Sequence, residues 1–363
     1  MPMSSSMTRE SLKTPQSSET LSPAVLKLIF SEQALSGVKK KRLKDKIDKK
    51  AKQGMLTKHF LAKTSPKEHL EWAYRIFCAQ MILGDYSWWG WETRSEWCWD
   101  LSNRHWFYPK WQGKPCKLFV LGEQGIGDEI LFASCLPDLQ KTNPDITVEC
   151  DSRLIPIFER SFPGIKFQSR WKDGIIGSPK ELGEYRGDFD AFIPLGNVPK
   201  LYRTSRAAFP RTPYLIPDKQ RVDKWRDTLP SDAVGIVHTA GGFDEKKVAF
   251  EDLIQGTPIN IHHRIRVGGV RNEYPADFDD FVGLIAALDH VNCVPSAAAH
   301  LCGAIGQKAN VVKPPIYVGE ANTILKYAYP RESGKMVWYG DHIDFYSSIR
   351  DFHYRMRRLS RVV

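Results

Sequence analysis

The stretch LGEQGIGDEILF, residues 121–132, combines glycines and carboxylates in a pattern that could carry chemistry. It follows a short apolar run and precedes a helix-like pattern, as in strand–loop–helix units. Its glycine spacing is GxxGxG, which is not the dinucleotide fingerprint GxGxxG, and no Lys-Ser or Lys-Thr pair closes it as a P-loop. The loop residues of interest are Glu123, Gln124, Gly125 and Gly127.

Asp128 is the candidate catalytic residue of this stretch. Backbone N–H groups at a helix start attract a phosphate, but Glu123, Asp128 and Glu129 would repel one. A carboxylate at a helix N-terminus is stabilised as the anion, and the carboxyl edge of a parallel sheet is where α/β ligands bind. These properties suit a general base. An aspartate that only caps its helix is the alternative.

A second candidate site lies in VNCVPSAAAHLCGAIG, residues 291–306, where Pro295-Ser296 opens a helix. Ser296 and His300 are four residues apart and share one helix face. Ala297 and the alanines after it are small, so a bulky group could approach the backbone. Such a helix N-terminus could bind a nucleotide diphosphate. A buried histidine on an Ala-rich packing helix is the alternative.

A third candidate is the end of the strand AVGIVHT, residues 233–239, and the loop that follows it. Thr239, Gly241 and Gly242 form a Gly-rich turn, and Lys246 and Lys247 supply cations nearby. This combination can bind an anion. Ordinary loop chemistry explains it equally well.

Metal and serine–histidine chemistry find little support in the sequence. Asp188-Phe189-Asp190 precedes a strand and Asp277-Phe278-Asp279 caps a helix, so we interpret both as structural. The seven cysteines include no CxxC pair and are expected to be buried thiols in a reducing compartment. No G-x-S-x-G nucleophile elbow occurs. We therefore predict neither a metal site nor a cofactor.

The elements that would position these residues alternate between strands and helices from residue 117 onward, which predicts parallel α/β architecture. The predicted strands are KLFVL, ITVEC, IKFQ, FDAFIPLG, AVGIVHT and ANVVKP. The predicted helices are 128–140, SRLIPIFERSF, FDDFVGLIAALDHV, HLCGAIG ending at Gly306, and the basic aromatic segment 343–359. The Pro-rich stretch 209–218 is interpreted as a linker between two such series.

The first part of the chain differs in composition from the rest. Residues 1–66 hold 14 Lys/Arg and 5 Asp/Glu, and therefore +9 of the net charge of +10. We interpret this tail as a solvated tether, with a contact to an anionic surface, nucleic acid or membrane, as the alternative. Because no apolar run reaches the ~18 residues of a membrane span and no signal-peptide pattern is present, we expect a cytoplasmic protein.

A helical hairpin is predicted between this tail and the α/β region. Seven tryptophans lie between positions 88 and 111, and we expect them to pack the hairpin onto the next domain. An aromatic platform for a sugar or a base is the alternative.

Taken together, the motifs resemble the heptosyltransferase-like glycosyltransferases (glycosyltransferase family nine), and most closely the branch fused behind tetratricopeptide repeats. That branch combines LLLGDY..GW...EWR-like, W.G.P and EQGLGD..QFARYLP-like segments. This chain has MILGDYSWWGWETRSEW and then WQGKPCKLFVLGEQGIGDEILFASCLPDL. The family's DT..AHLAGA.GKP-like and VGLVWSG-like segments resemble PSAAAHLCGAIGQKA and VGIVHTAGG. The resemblance covers roughly residues 66–345.

The resemblance implies a GT-B-like fold with two Rossmann-like domains facing across a cleft, and an inverting, metal-independent transfer of a sugar from a nucleotide-diphosphate donor. It implies that Asp128 is the base that activates the acceptor hydroxyl. The donor-binding positions that it implies are Thr239, Gly241, Gly242, Lys246 or Lys247, Ser296, Ala297 and His300. The acceptor, whether a glycan, a lipid-linked sugar or a protein, is not indicated.

Three positions depart from the family pattern. Pro295 replaces an aspartate, Ser296 replaces a threonine and His238 replaces a tryptophan. Proline removes both a carboxylate and an N–H, so the alternative function is a degenerate transferase fold that acts as a binding or scaffold protein.

The expected domain order follows from these patterns. It is a basic tail (1–65), a residual TPR-like hairpin (66–112), an acceptor-side Rossmann-like domain (113–215), a nucleotide-sugar-side Rossmann-like domain (216–340) and a C-terminal helix (341–363).

Overall fold

A computed structural model of the chain describes most of the α/β region. The described residues are 108–122, 125–170, 188–238, 256–261, 275, 277–313 and 334–359. The basic tail and residues 66–107 of the predicted hairpin lie outside them, so both stay predictions. All described residues belong to one compact unit, Tyr74–Val363.

The first sheet has four parallel strands in the order β3-β2-β1-β4. Its strands are β1 (Leu118–Leu121), β2 (Ile146–Cys150), β3 (Lys166–Ser169) and β4 (Ala191–Pro194). The central strand β1 is buried along its whole length, which explains its continuous apolar run, since helices cover both faces of a parallel sheet. The strands predicted at these four places are confirmed.

The helices of the first half differ from the prediction in one respect. They are α1 (Ile126–Ala133), α2 (Leu136–Thr142), α3 (Ile155–Ser161) and the short α4 (Pro199–Tyr202). The single helix predicted for 128–140 was wrong, because the chain turns at Ser134 and Cys135 and starts a second helix. Pro137 accounts for the break, since a proline has no N–H to donate and its ring clashes with the carbonyl four residues earlier.

In the described part of the chain, the second sheet has six strands in the order β6-β5-β7-β8-β10-β9, and of these only β9 is antiparallel to its neighbour. The strands are β5 (Ala233–Val237), β6 (Thr257–Asn260), β7 (His290–Cys293), β8 (Ala309–Val312), β9 (Gly334–Lys335) and β10 (Ile343–Tyr346). The carboxyl ends of β5 and β7 are neighbours, with Val237 beside Cys293. The loops that follow these strands, which begin at His238 and Val294, therefore start side by side.

The helices of the second half are α5 (Lys219–Thr228), α6 (Phe278–Ala287), α7 (Ala297–Ile305) and α8 (Ile349–Leu359). Asp277 caps α6 by accepting from the Asp280 N–H, and Gly306 ends α7 in the left-handed conformation, both as predicted. The helix predicted from residue 341 was wrong in its first part. Ile343–Tyr346 is a strand of the second sheet because Ile343, Phe345 and Tyr346 are buried there, beside β8.

One apolar core includes residues from both sheets. Trp338 contacts Phe132 of the first half and Phe209 of the Pro-rich stretch. Arg160 on α3 forms a paired hydrogen bond with the buried carboxylate of Asp279 on α6 at 2.6 and 3.1 Å. The structural interpretation of Asp277 and Asp279 is thereby confirmed. A helix with the length and apolar character of a membrane span does not occur in the described part of the chain.

Candidate active site

Helices α1 and α7 meet near their N-terminal ends. A Cβ atom added at Gly127 would lie 3.2 Å from the Cα of Ala297 and 3.2 Å from Cδ2 of His300. The approach is this close because position 127 has no side chain. Two of the three candidate stretches, about 170 residues apart in the sequence, are thus brought to one place.

Asp128 lies at the third position of α1 and is half-buried. Its Oδ2 accepts a hydrogen bond from the Gly125 N–H at 3.3 Å, and its own N–H donates to the Gly125 carbonyl at 3.0 Å. Gly125 is therefore the N-cap residue, and Asp128 contributes to capping from within the helix. The helix dipole and this N–H both stabilise the carboxylate as an anion, which a general base requires.

Glu129, the next residue, lies inside the protein and not in the loop. Its side chain is fully buried, and its Oε1 accepts from Nε of Arg170 at 2.8 Å, with a second contact from Nη2 of Arg170. Its Oε2 accepts from the Asp151 N–H at 2.8 Å. The expectation that Glu129 repels a phosphate was wrong, because the guanidinium of Arg170 balances its charge.

The titration of Glu129 is set mainly by its burial. Burial raises the pKa of this carboxyl to about 7, against the opposing effects of Arg170 and the Asp151 N–H. The pair also explains Gly122, since a Cβ there would lie 2.6 Å from Oε1 of Glu129 and 2.5 Å from the carbonyl oxygen of Glu149. The glycine of the loop thus makes room for a buried ion pair at the carboxyl edge of the first sheet.

The N-terminus of α7 is built from Pro295, Ser296 and the alanines. Ser296 is the N-cap residue in extended conformation, and its carbonyl accepts from the N–H groups of Ala299 and His300. Its Oγ is buried and has no hydrogen-bond partner among the described residues. The N–H groups of Ala297 and Ala298 come before the first hydrogen bond of the helix, so this end carries the partial positive charge to which anions bind.

His300 is buried against a tyrosine. Its Nδ1 lies 2.9 Å from the hydroxyl of Tyr339, and its ring edge faces Gly127. Burial lowers the pKa of the imidazole to about 3, so the ring is neutral at physiological pH. It therefore offers no positive charge to a diphosphate, and a donor-binding role for it would be that of a neutral hydrogen-bonding group.

Several residues at this junction were not singled out from the sequence. Glu129 was assigned only a repulsive role, and Arg170 and Tyr339 were not singled out at all. A glycine in the sequence could have indicated that a large side chain packs against α7. Gly303 is three residues after His300, and its Cα lies directly under the Tyr339 ring, where a Cβ would overlap the ring atoms.

The other predicted site residues lie outside the described part of the chain. They are Glu123 and Gln124 in the first loop, and Thr239, Gly241, Gly242, Lys246 and Lys247 after β5. His238, the last described residue before that second loop, is half-buried at the carboxyl end of β5. The loop thus leaves the sheet beside the loop that leads to Ser296.

The comparisons with known proteins give partial matches. No family model matches the sequence. The chain is 28% identical to "Protein FlbA" of Caulobacter vibrioides over 243 residues, which cover 54% of this chain and 40% of that protein. The chain therefore spans less than half the length of this relative.

Two solved structures are also similar to the chain. A glycosyl transferase family 9 protein from Veillonella parvula has a TM-score of 0.38 at 12% identity, and the match covers 55% of this chain and 82% of that one. The E. coli ADP-heptose lps heptosyltransferase II has a TM-score of 0.40 at 14% identity, and the match covers 67% of this chain and 97% of that one.

Proposed function

We propose that the chain is a glycosyltransferase of the GT-B type that moves a sugar from a nucleotide-diphosphate donor to an acceptor hydroxyl, with inversion and without a metal. The observation that carries the proposal is the junction of α1 and α7. It holds the anionic Asp128 and the anion-attracting start of α7 in one place, and Gly127 touches Ala297 there. The sequence resemblance at both stretches supports the same reaction.

In this proposal Asp128 accepts the proton of the acceptor hydroxyl. The acceptor oxygen then attacks the anomeric carbon of the donor sugar from the face opposite the leaving group. The bond between that carbon and the diphosphate oxygen breaks, and the nucleoside diphosphate leaves with the bonding electron pair. A single displacement of this kind inverts the anomeric centre and needs no covalent enzyme intermediate.

The diphosphate would bind at the N-terminus of α7. Backbone N–H groups of the first turn and Oγ of Ser296 are the donors that the described residues offer. Thr239, Gly241, Gly242 and Lys246 or Lys247 would complete the site from the neighbouring loop, since that loop begins beside the one leading to Ser296. Helix and loop would together take up the charge that develops on the leaving group.

The first test is binding of the leaving group. The full chain is titrated calorimetrically with the diphosphates of adenosine, guanosine, uridine, cytidine and thymidine. We expect one of them to bind, and Ser296→Ala to weaken that binding severalfold. If none binds to folded protein, the transferase proposal is wrong.

A binding or scaffold function is the second candidate, and Pro295 favours it. The residue is buried at the start of α7, where the resembling family carries an aspartate. In that case the chain would bind a nucleoside diphosphate or another partner without turnover. If the chain binds a nucleoside diphosphate but cleaves no nucleotide-sugar donor, this second function is supported.

A further inference from the structure

The carboxylate of Glu129 connects α1 to the ends of two strands of the first sheet. Its Oε2 accepts from the N–H of Asp151, the residue that follows β2, at 2.8 Å. Its Oε1 accepts from the guanidinium of Arg170, the residue that follows the last position of β3, with Nε at 2.8 Å. The Arg170 N–H donates to the Cys150 carbonyl at 2.7 Å, so the two strand ends are also bonded to each other. One buried side chain thus joins three elements at the carboxyl edge of the sheet.

The same carboxylate lies against the start of the loop that leads to α1. A Cβ atom at Gly122, directly after β1, would lie 2.6 Å from Oε1 of Glu129 and 3.0 Å from Nε of Arg170. The backbone at Gly122 therefore packs on the ion pair. Because α1 begins soon after this loop and carries Glu129 in its first turn, the segment 122–129 contacts the pair at both of its ends.

The start of α1 is held on its other side by α7. Gly127 packs against Ala297 and His300, and Glu129, two residues later, is bonded to the edge of the first sheet. Asp128 lies between these two anchored residues. Neighbouring helix positions differ by about 100° around the axis, so the side chains of Asp128 and Glu129 leave the helix in different directions.

The hydrogen bond from Gly125 to Asp128 is longer than the bonds of Glu129. The Gly125 N–H donates to Oδ2 at 3.3 Å, whereas N–H···O bonds are most often about 2.9–3.0 Å long. Asp128 is also half-buried, whereas Glu129 is fully buried and bonded through both oxygens. The place of the Asp128 carboxylate therefore depends on the backbone of the first turn, which Glu129 holds.

We infer that Glu129 is a positioning residue, whose bonds to the ends of β2 and β3 fix the first turn of α1 and thereby the place of Asp128 at the junction of α1 and α7. The inference deepens the proposed function and rests on it for the role of Asp128. A shorter, uncharged side chain at position 129 would keep Asp128 in the sequence but release the turn that carries it.

The first test measures amide hydrogen exchange by mass spectrometry in the full chain without a ligand. Helix α5 in the second half serves as the internal reference. In Glu129→Ala we expect the exchange rate of the α1 amides to rise by about tenfold or more beyond the rise in α5, because the loss is local. An equal rise in both helices would mean that Glu129 contributes only to overall stability, and would overturn the inference.

Arg160→Ala is the matched control because it breaks another buried ion pair, the one with Asp279. We expect exchange in α1 to rise no more than in α5 in this variant. A selective rise at α1 in the control as well would overturn the inference, since the loss of any buried pair would then produce it.

Glu129→Gln keeps the inference testable if Glu129→Ala does not fold. Glutamine has a single acceptor oxygen, so it can satisfy the Asp151 N–H or the Arg170 guanidinium but not both. We expect α1 to exchange faster than in the native chain and more slowly than in a folded Glu129→Ala protein. Native exchange of α1 in Glu129→Gln contradicts the inference.

The second test separates turnover from binding in the same variants. Affinity is measured calorimetrically for the nucleoside diphosphate that binds the native chain, and turnover as release of that diphosphate from its sugar donor. In Glu129→Ala we expect kcat to fall about 10- to 100-fold because the base is misplaced, with the affinity unchanged within a few fold because α7 binds the diphosphate. A native kcat in the folded variant overturns the inference, and Arg160→Ala should retain its kcat.

The two proposals fail in different ways. The exchange measurements need no ligand, so the absence of nucleotide binding would overturn the transferase and leave the exchange result readable. Equal exchange of α1 and α5 in Glu129→Ala would overturn the positioning role and leave the transferase standing.

Discussion

The carboxylates of Asp128 and Glu129 are adjacent in sequence but lie in opposite environments. Asp128 is half-buried at the start of α1 and bonded to a backbone N–H. Glu129 is fully buried and paired with Arg170. In the proposal the first performs the chemistry, and the second ties the helix to the ends of β2 and β3.

At the residue scale, we expect the Glu129–Arg170 pair to contribute to the stability of the fold. Glu129→Ala leaves the guanidinium of Arg170 without its buried partner and should lower the free energy of unfolding by about 3–5 kcal/mol. Glu129→Gln should cost less, about 1–3 kcal/mol, because its single carbonyl oxygen keeps one of the two sets of contacts. Urea denaturation of both variants measures this difference. Equal losses for Ala and Gln would contradict the assigned hydrogen bonds of the Glu129 side chain.

The burial of His300 leads to a prediction about how the stability of the fold depends on pH. Its folded pKa of about 3 lies below that of an exposed histidine, so the unfolded chain takes up a proton that the folded chain does not. The stability associated with the neutral ring is complete above the unfolded pKa near 6.5 and is lost as pH falls toward the folded value. The expected slope is about 1.4 kcal/mol per pH unit in that window.

Denaturation between pH 7 and pH 4 in the native chain and in His300→Gln isolates this contribution. In His300→Gln the free energy of unfolding should fall less steeply with decreasing pH, because the contribution of the histidine is absent. This holds whatever the stability of the variant at neutral pH. Parallel curves would show that the imidazole is charged in the folded protein.

At the scale of elements, the glycines of the first loop control how closely α1 approaches its neighbours. Gly127→Ala places a Cβ 3.2 Å from Ala297 and His300, so the two helices must separate by a few tenths of an ångström, at about 1 kcal/mol. Gly122→Ala meets the Glu149 carbonyl at 2.5 Å, which is backbone and cannot turn aside, and should cost about 3 kcal/mol.

Thermal unfolding ranks these variants, with Gly334→Ala as the matched control. No atom of the described residues lies within 4 Å of a Cβ at Gly334, so the melting temperature of this variant should hardly change. A Gly122→Ala protein as stable as that control would show that β1, β2 and α1 are not packed as described.

Most elements could be predicted because their signals are local. Buried strands such as β1 are continuous apolar runs, and the cap at Asp277 and the stop at Gly306 are set by single residues. Helices α4 and α5 and strands β6, β7, β9 and β10 were not predicted, and the helix predicted over 278–291 was wrong at its end, where β7 begins at His290. Two of these misses have a plain physical reason. Helix α5 buries only Val222 and Trp225 along a polar sequence. Strand β10 reads as part of an aromatic, basic helix until its pairing with β8 buries it.

The site was only partly predictable, for a related reason. Asp128, Ser296 and His300 could be found because short motifs surround them. The hydrogen bond between His300 and Tyr339 joins two distant segments, and no local pattern encodes such a contact. The buried state of His300 likewise depends on Tyr339, which lies 39 residues away.

At the scale of the whole molecule, a buried ion pair links the helices of the two sheets. Arg160→Ala leaves the carboxylate of Asp279, whose side chain is 8% exposed, without its main partner. It should lower the free energy of unfolding by about 3 kcal/mol, since Arg221 still lies 3.6 Å away. Lys166→Ala breaks the surface ion pair with Asp145, in which the two side chains are 74% and 48% exposed. It should lower the free energy of unfolding by less than about 1 kcal/mol. Denaturation of the two variants side by side tests the difference.

The charge of the molecule is as uneven as the sequence predicts, with +9 of +10 in residues 1–66. A contact between this tail and an anionic surface stays a prediction, as do the hairpin, the interdomain cleft and the domain boundaries. The junction of α1 and α7 does not depend on them.

The central claim, that Asp128 is the base of a sugar transfer, is tested most directly by separating turnover from binding in Asp128→Asn. Asparagine keeps an oxygen that can accept from the Gly125 N–H, so the start of α1 is preserved. The measurement follows release of the nucleoside diphosphate from its sugar donor, together with the affinity for that diphosphate. The account predicts a loss of turnover of about 100-fold or more, with the affinity unchanged within a few fold. Undiminished turnover in the folded variant would contradict it.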